Sequence, residues 1–283
     1  MTKVAVLAMG EMGSGVARRL HERGAQVLTC LVGRSERSRA RAKEAGAEDT
    51  TMDNIVESAD LFLSIVPPSS AKETADRFLA AAKGRARAPV YIDCNAIATS
   101  TLEDMAASFY RSGLPFGDGS IIGAAPSADG KSPRVYLSGE IEPTAAILGE
   151  FGLDARWLSP KLGDASALKM SYSGIGKGFQ CLATAMATGA DRAGVLHHLI
   201  DELKTSEPQF YTWFQKMLPA MTAKAYRWDG EMLEISKFLS EEPGAAEIFK
   251  GAASVYRHVA VDHRIGPTSG IMSALNRFVD PKS

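Results

Sequence analysis

Residues Ala8, Met9, Gly10, Glu11, Met12 and Gly13 lead from the end of an apolar run, 4–9, into a helical pattern, 14–23. Glycines at this spacing, between a strand and a helix, suit one chemistry. Gly10 lets the backbone come close to a pyrophosphate, and Gly13 lets the helix pack against the strand. The helix N-terminus then turns its free N–H groups and the positive end of its dipole toward the phosphates. Ala8 stands where the fingerprint has its first glycine, which is harmless provided its φ is negative. Glycine spacing alone is a weak signal, but here the strand, the helix and a βαβ beginning are all in place. Met9, Gly10, Glu11, Met12 and Gly13 are therefore expected to line a dinucleotide; a glycine turn without a ligand is the alternative.

The end of the second strand selects the dinucleotide. A site for NAD places an acid about 20 residues on, to hold the ribose hydroxyls. Here the chain reads Gly33-Arg34-Ser35-Glu36-Arg37-Ser38. Guanidinium and hydroxyl donors suit a phosphate dianion, so Arg34, Ser35 and Arg37 are expected to hold the 2′-phosphate of NADP. Arg39, Arg41 and Lys43 read as a solvated helix face.

These residues need elements to hold them. Runs 4–9, 27–32, 61–66, 90–93 and 134–139 read as strands, and patterns 14–23, 35–45, 71–83 and 101–112 as helices. Apolar strands alternating with helices predict a parallel sheet covered on both faces. After Pro160 the strand signals stop. Long helical patterns follow, the longest over 165–193, with breaks at Pro208, Pro219 and Pro243. The expected architecture is α/β: an N-terminal doubly wound Rossmann sheet, 1–159, followed by an all-α domain, 160–283.

Composition narrows the partners. In 283 residues, 32 Lys and Arg face 33 Asp and Glu. A net charge of −1 provides no field for a polyanion or an anionic membrane, so neither nucleic acid nor membrane is an expected partner. Cys30, Cys94 and Cys181 are odd in number and far apart, which argues against a disulfide framework or a zinc site. The run 4–9 is too short for a signal peptide and no run reaches membrane-span length. The expected location is the cytoplasm.

Five segments carry a resemblance: LAMGEMGSGVARRL, SADLFLSIVPP, IDCNAI, FGDGSIIGAAP and KLGDASALKMSYSG. Their order and spacing resemble the β-hydroxyacid dehydrogenases, a superfamily that includes 3-hydroxyisobutyrate dehydrogenase, 6-phosphogluconate dehydrogenase and the imine reductases. Within it the chain looks most like the 6-phosphogluconate dehydrogenase-like proteins with a distinct C-terminal domain. The resemblance covers the N-terminal half and the start of the long helix. It implies an active site in the cleft between a Rossmann domain and a helical domain, and a homodimer formed through the helical domains. It also assigns the catalytic lysine. Gly163-Asp164-Ala165-Ser166-Ala167-Leu168-Lys169 keeps the first glycine and the lysine of G-x-G-x-x-x-K, with alanine in the second glycine slot.

A lysine suits that task. Oxidising a secondary alcohol needs a base for the hydroxyl proton, and reducing a carbonyl needs the same group as an acid. A partly desolvated ammonium beside a nicotinamide cation loses affinity for its proton. The competing reading of Lys169 is a helix lysine paired with Asp164 or a C-terminal carboxylate.

Three positions depart from the family. Ile122, ahead of Gly123, replaces the serine of V-S-G-G; Ser173 replaces the asparagine four residues past the lysine; Asn95 replaces the serine of D-x-S-T. Each unmatched buried polar group costs about 1–3 kcal/mol, so a bulkier or less anionic small molecule than the usual hydroxy acid is expected. Asn95, Ser120, Ile122, Gly123, Tyr172 and Ser173 are the candidate substrate contacts. The resemblance implies that Val66 and Pro67 cover the ribose and nicotinamide, and Asn95 is a further candidate cofactor contact. Asn95 also reads as a turn residue and Tyr172 as helix packing.

The last third says less. Aromatics over 210–217 and 226–238 read as core or dimer interface, and Trp228, Glu231 and Met232 are candidates for the partner subunit's cleft. No metal is expected, because neither His197 with His198 nor His258 with His263 has further ligands at suitable spacing. The sum is an NADP-dependent oxidoreductase acting on CH–OH, with Lys169 as acid/base. The alternatives are an imine reductase, a decarboxylating variant with Tyr172 as second acid, and a non-catalytic NADPH sensor.

Overall fold

Eight strands form one sheet in the first part of the chain, in a computed structural model that describes residues 1–126 and 132–280. They are β1 (Lys3–Leu7), β2 (Gln26–Thr29), β3 (Glu48–Asp49), β4 (Leu61–Ser64), β5 (Val90–Asp93), β6 (Phe116–Ile122), β7 (Arg134–Ser138) and β8 (Asp154–Ser159). Their spatial order is β3-β2-β1-β4-β5-β6-β7-β8, and the first six give the doubly wound order with a crossover at β1/β4. Helices α1 (Glu11–Glu22), α2 (Glu36–Glu44), α3 (Met52–Ser58), α4 (Ala71–Ala82), α5 (Thr99–Arg111) and α6 (Glu142–Glu150) lie between strands.

Period-two alternation builds two cores. Val4 and Val6 pack on one face with Val16, Leu20 and Leu148, while Ala5 and Leu7 pack on the other with Phe62, Phe78 and Tyr91. That second core holds five rings, Phe62, Phe78, Tyr91, Phe109 and Phe116, whose nearest centroids lie 4.7–5.6 Å apart.

The expected all-parallel sheet needs correcting at β7, which runs antiparallel to β6, with β8 parallel to β7. Among the described residues no helix joins β6 to β7, and a strand that returns without a crossover pairs antiparallel. β6 itself was hidden in the sequence: Phe-Gly-Asp-Gly-Ser-Ile-Ile has a poor strand composition. Its glycines answer to packing. A Cβ at Gly117 would lie 2.3 Å from Ile141 Cδ1, and one at Gly119 2.8 Å from Cys94 Sγ.

The rest is helical: α7 (Asp164–Arg192), α8 (Leu196–Ser206), α9 (Pro208–Thr222), α10 (Trp228–Phe238), α11 (Pro243–Ile265) and α12 (Gly270–Val279). Pro208 and Pro243 start their helices, where a missing N–H costs nothing. Pro219 breaks nothing and lies inside α9, in a last turn that ends three residues later. The chain forms two compact units, Met1–Met170 and Ser171–Ser283.

Glu231 and Met232 are buried in the second unit, and Trp228 is half-buried. Lys177 forms an ion pair with Glu231, and its ammonium lies 4.8 Å from the centre of the Trp228 ring. Trp228 meets Tyr256 edge-on at 5.2 Å, and Met232 is fully buried. A lysine this far inside needs a counter-charge, and Glu231 supplies it. Among the described residues no helix is long and apolar enough to cross a membrane.

Candidate nucleotide and proton-transfer site

Ala8 leaves β1 with φ at +77°, and among the described residues no other non-glycine has a positive φ. The condition set for a harmless alanine is not met: the turn keeps a glycine conformation with an alanine in it, at a cost of about 1–2 kcal/mol. The geometry then dictates position 13. A Cβ on Gly13 would lie 1.9 Å from the Ala8 carbonyl oxygen, so the first turn of α1 packs directly on the exit of β1. Gly10 is different. Its φ of −71° suits any residue, and a Cβ there would meet nothing within 4 Å. The open space lies at the N-terminus of α1, which has no side-chain cap and so keeps N–H groups for a ligand. Met9 is buried in the core and Met12 packs against it. Glu11 is an exposed acid in the first turn, where it takes up part of the helix dipole.

Beyond β2 the chain turns through Gly33, at φ +72°, with the Arg34 N–H donating to the Leu31 carbonyl at 3.0 Å. Ser35 caps α2, its hydroxyl accepting from the Ser38 N–H at 3.3 Å. Arg34 is half-buried and Arg37 exposed. Arg39 is not merely solvated. It donates to the Leu31 carbonyl at 2.9 Å and lies 3.7 Å from Asp49, whose carboxylate also accepts the Leu31 N–H at 2.9 Å. This clasp fixes the turn that carries Arg34.

The C-terminal ends of β4 and β5 and the first half of β6 hold a buried polar network. Ser64 is in register with Asp93, and Asp93 with Asp118. Asn95, 3 % exposed, accepts from the Val66 N–H at 2.6 Å. Its amide donates to Ser64 Oγ at 3.0 Å and to Asp93 at 2.8 Å. The side chain is thus spent on the exit of β4, and it acts on Val66 and Pro67 rather than through a free amide. Burial raises the Asp93 carboxyl to about 7, the two bonds from Asn95 opposing the rise and the neighbouring Asp118 adding to it. Burial likewise pushes the Asp118 carboxyl up, against hydrogen bonds from Ser166 and Ser138.

Lys169 stands in the second turn of α7 and donates from Nζ to the Ile121 carbonyl, at the end of β6, at 2.7 Å. Asp164, the partner of the competing reading, accepts from Ser159 at 2.6 Å and lies 3.6 Å from Lys161. Ser120 is fully buried, its hydroxyl donating to the Ala165 carbonyl at 2.7 Å; it fastens α7 and presents no open face. Ile122 is buried and Gly123, at φ +128°, exposed. Ser173, one turn on from Lys169, shares its helix face and is buried, whereas Tyr172 is 57 % exposed. The residues that sequence reasoning passed over are Asp93, Asp118, Ser138 and Ser166. The available signal was a carboxylate inside each of two apolar stretches, since a buried acid demands donors.

A family model described as NADP oxidoreductase, coenzyme F420-dependent, matches residues 3–96, and a domain of unknown function (DUF1932) matches 190–259. An uncharacterized 28.5 kDa protein in the 7S RNA 5′ region of Methanothermus fervidus is 24% identical over 259 residues, 91% of this chain and 98% of that protein. A conserved protein of unknown function, whose structure is described as similar to 3-hydroxyacid dehydrogenases, is 27% identical. It covers 91% of this chain and 99% of its own, with a TM-score of 0.66. The 3-hydroxyisobutyrate dehydrogenase of Mycobacterium tuberculosis, solved with L-serine, is 16% identical with 98% of both chains covered and a TM-score of 0.68. The match over residues 3–96 is to a family model of NADP oxidoreductases, and the chain's fold resembles that of 3-hydroxyacid dehydrogenases. Within that class its architecture is that of the 3-hydroxyisobutyrate dehydrogenase-like hydroxyacid dehydrogenases, the superfamily its motifs resemble.

Proposed function

We propose that this protein is an NADP-dependent oxidoreductase that interconverts a hydroxy compound and its carbonyl, with Lys169 as acid and base. One observation carries the reading. Lys169 Nζ is held 2.7 Å from the Ile121 carbonyl, at the same C-terminal edge of the sheet as the open glycine turn, where doubly wound folds bind their ligands. The residues present fit a dinucleotide: Gly10 leaves space before an uncapped helix, and the clasp of Arg39 and Asp49 fixes the turn bearing Arg34. NADPH supplies the hydride. In reduction Lys169 gives the proton from Nζ to the carbonyl oxygen as it becomes a hydroxyl; in oxidation the same nitrogen takes that proton back. The Ile121 carbonyl orients the ammonium. Residues 1–159 serve the nucleotide, and 160–283 the substrate and self-association. Ile122, Gly123, Tyr172 and Ser173 remain the substrate candidates; an apolar Ile122 in the serine slot supports a less anionic substrate.

Self-association has its own support. Leu168, Tyr172, Ile175, Phe179, Leu182 and Met186 recur at steps of four and three along α7 and are all at least 37 % exposed. Such a seam suits a second copy of the same helix. The three cysteines are free and buried, in keeping with a reducing cytoplasm.

A thermal-shift titration with NADPH and NADH tests the cofactor. NADPH is expected to stabilise more. Arg34→Ala is expected to lose about tenfold to a hundredfold in NADPH affinity, the worth of charged hydrogen bonds of about 1.5–3 kcal/mol, while NADH binding stays put. Equal losses for both nucleotides would refute the assignment of Arg34. Lys169→Ala is expected to abolish nicotinamide oxidation with an aldehyde and ketone panel and to spare NADPH binding. A sensor would be indifferent to it.

A further inference from the structure

α7 begins without a cap of its own. Gly163, whose carbonyl accepts the first helical bond from Ala167 at 2.8 Å, has no side chain to offer the first turn. The sheet supplies the cap instead. Asp118, on β6, accepts from the Ser166 N–H at 2.9 Å and from the Ser166 hydroxyl at 2.6 Å. It also accepts from the Ser138 hydroxyl, on β7, at 2.9 Å, and Ser138 Oγ in turn accepts the Ala165 N–H at 3.1 Å. Ser120 fastens the Ala165 carbonyl at 2.7 Å. All four side chains are buried. The same strand then receives Lys169 on the Ile121 carbonyl. β6 therefore grips α7 at its first turn and again at the lysine, three and four residues beyond Ser166 and Ala165.

We infer that Asp118 is a positioning residue for the reaction: by capping α7 from β6 through Ser166 and Ser138, it sets where the Lys169 ammonium stands. Asp118 touches neither substrate nor nucleotide in this scheme. Its carboxylate at the helix N-terminus is favoured by the dipole, and the bonds it makes convert a helix that follows a glycine into one with a fixed start. The inference rests on the proposed role of Lys169 for its catalytic meaning, while the placement of the lysine is measurable without catalysis.

Competitive labelling of the full-length protein with acetic anhydride at fixed pH, read by peptide mass spectrometry, reports each lysine separately. Lys43 and Lys83, both exposed, serve as internal controls. In Asp118→Ala the labelling rate of Lys169 is expected to rise at least threefold while Lys43 and Lys83 stay unchanged. Asp118→Asn, which keeps an acceptor of the same shape, is expected to restore most of the wild-type rate. Should Asp118→Ala fail to fold, Ser166→Ala removes one bond of the cap and Ser138→Ala removes two, and each is expected to raise the Lys169 rate about twofold. A Lys169 rate equal to wild type in these variants would overturn the inference. So would a rise shared by all lysines, or an Asp118→Asn no better than Asp118→Ala. If Lys169 labelling changes as expected but Lys169→Ala keeps its turnover, the acid/base reading fails and the positioning of the lysine by Asp118 stands.

Discussion

Two corners of one sheet edge are built by opposite means. At the β1–α1 turn, shape alone decides. Ala8 holds a left-handed φ, Gly13 lies against its carbonyl, and an empty space waits outside Gly10. At the β5–β6 corner charge decides, with Asp93 and Asp118 side by side in register and each surrounded by donors. The first corner is rigid because atoms collide, and the second because buried carboxylates need their bonds. A steric corner fails at once when an atom is added, whereas an electrostatic corner fails gradually as a proton is added or removed.

The largest effect is expected at the steric corner. Gly13→Ala places a methyl 1.9 Å from a backbone oxygen, and neither the strand nor the helix yields without losing core packing. A loss of about 3 kcal/mol or more is expected, at the upper end of overpacking. Denaturant melts check it; a change under 1 kcal/mol would show the turn to be soft and remove the contrast between the corners.

The electrostatic corner is expected to show itself in pH. Burial holds the Asp93 carboxyl at about 7 in the folded chain, against an ordinary value of 3.8. The folded chain thus keeps a proton that the unfolded chain releases. Its contribution to stability is full below about pH 4 and is lost as pH rises through about 7. The gap caps this at about 4 kcal/mol, and relaxation of the site brings the expected loss nearer to about 2 kcal/mol. Asp93→Asn removes the titration. Unfolding free energies from pH 4 to pH 8, wild type minus variant, are expected to trace that fall, and a flat difference would contradict the assignment.

The smallest effect sharpens the steric side. Ala8→Gly relieves a strain of about 1–2 kcal/mol and gives back about 0.5–1 kcal/mol in unfolded-state entropy. A net gain of about 0.5–1 kcal/mol in a urea melt is expected. A net loss would mean that the Ala8 methyl group makes contacts worth more than its strain.

The same contrast explains what the sequence disclosed. The steric corner was legible because it is local, with the strand, two glycines and the helix all contained in 4–23. Its hidden part was the φ of Ala8, which only the packing of Gly13 reveals. The charged corner was not legible. Asp118 meets its partners 20 and 48 residues away, at Ser138 and Ser166, and lies in a strand whose glycines disguise it. For the same reason the bonds that tie Asn95 to neighbouring strands and Ser120 to α7 were not legible. The helical half was readable in outline from its prolines. Pro219 misled because its last-turn position hides its rigidity, and Glu231 because Lys177, its partner, lies 54 positions earlier.

The strained alanine has a consequence for how this turn can change over time. Alanine and glycine codons differ at one base, so a relaxed form of position 8 is a single mutation away at every generation. Position 13 has no such neighbour, since every side chain adds the atom that collides. The dinucleotide turn thus contains one residue free to trade stability in small steps and, five positions on, one with nowhere to go.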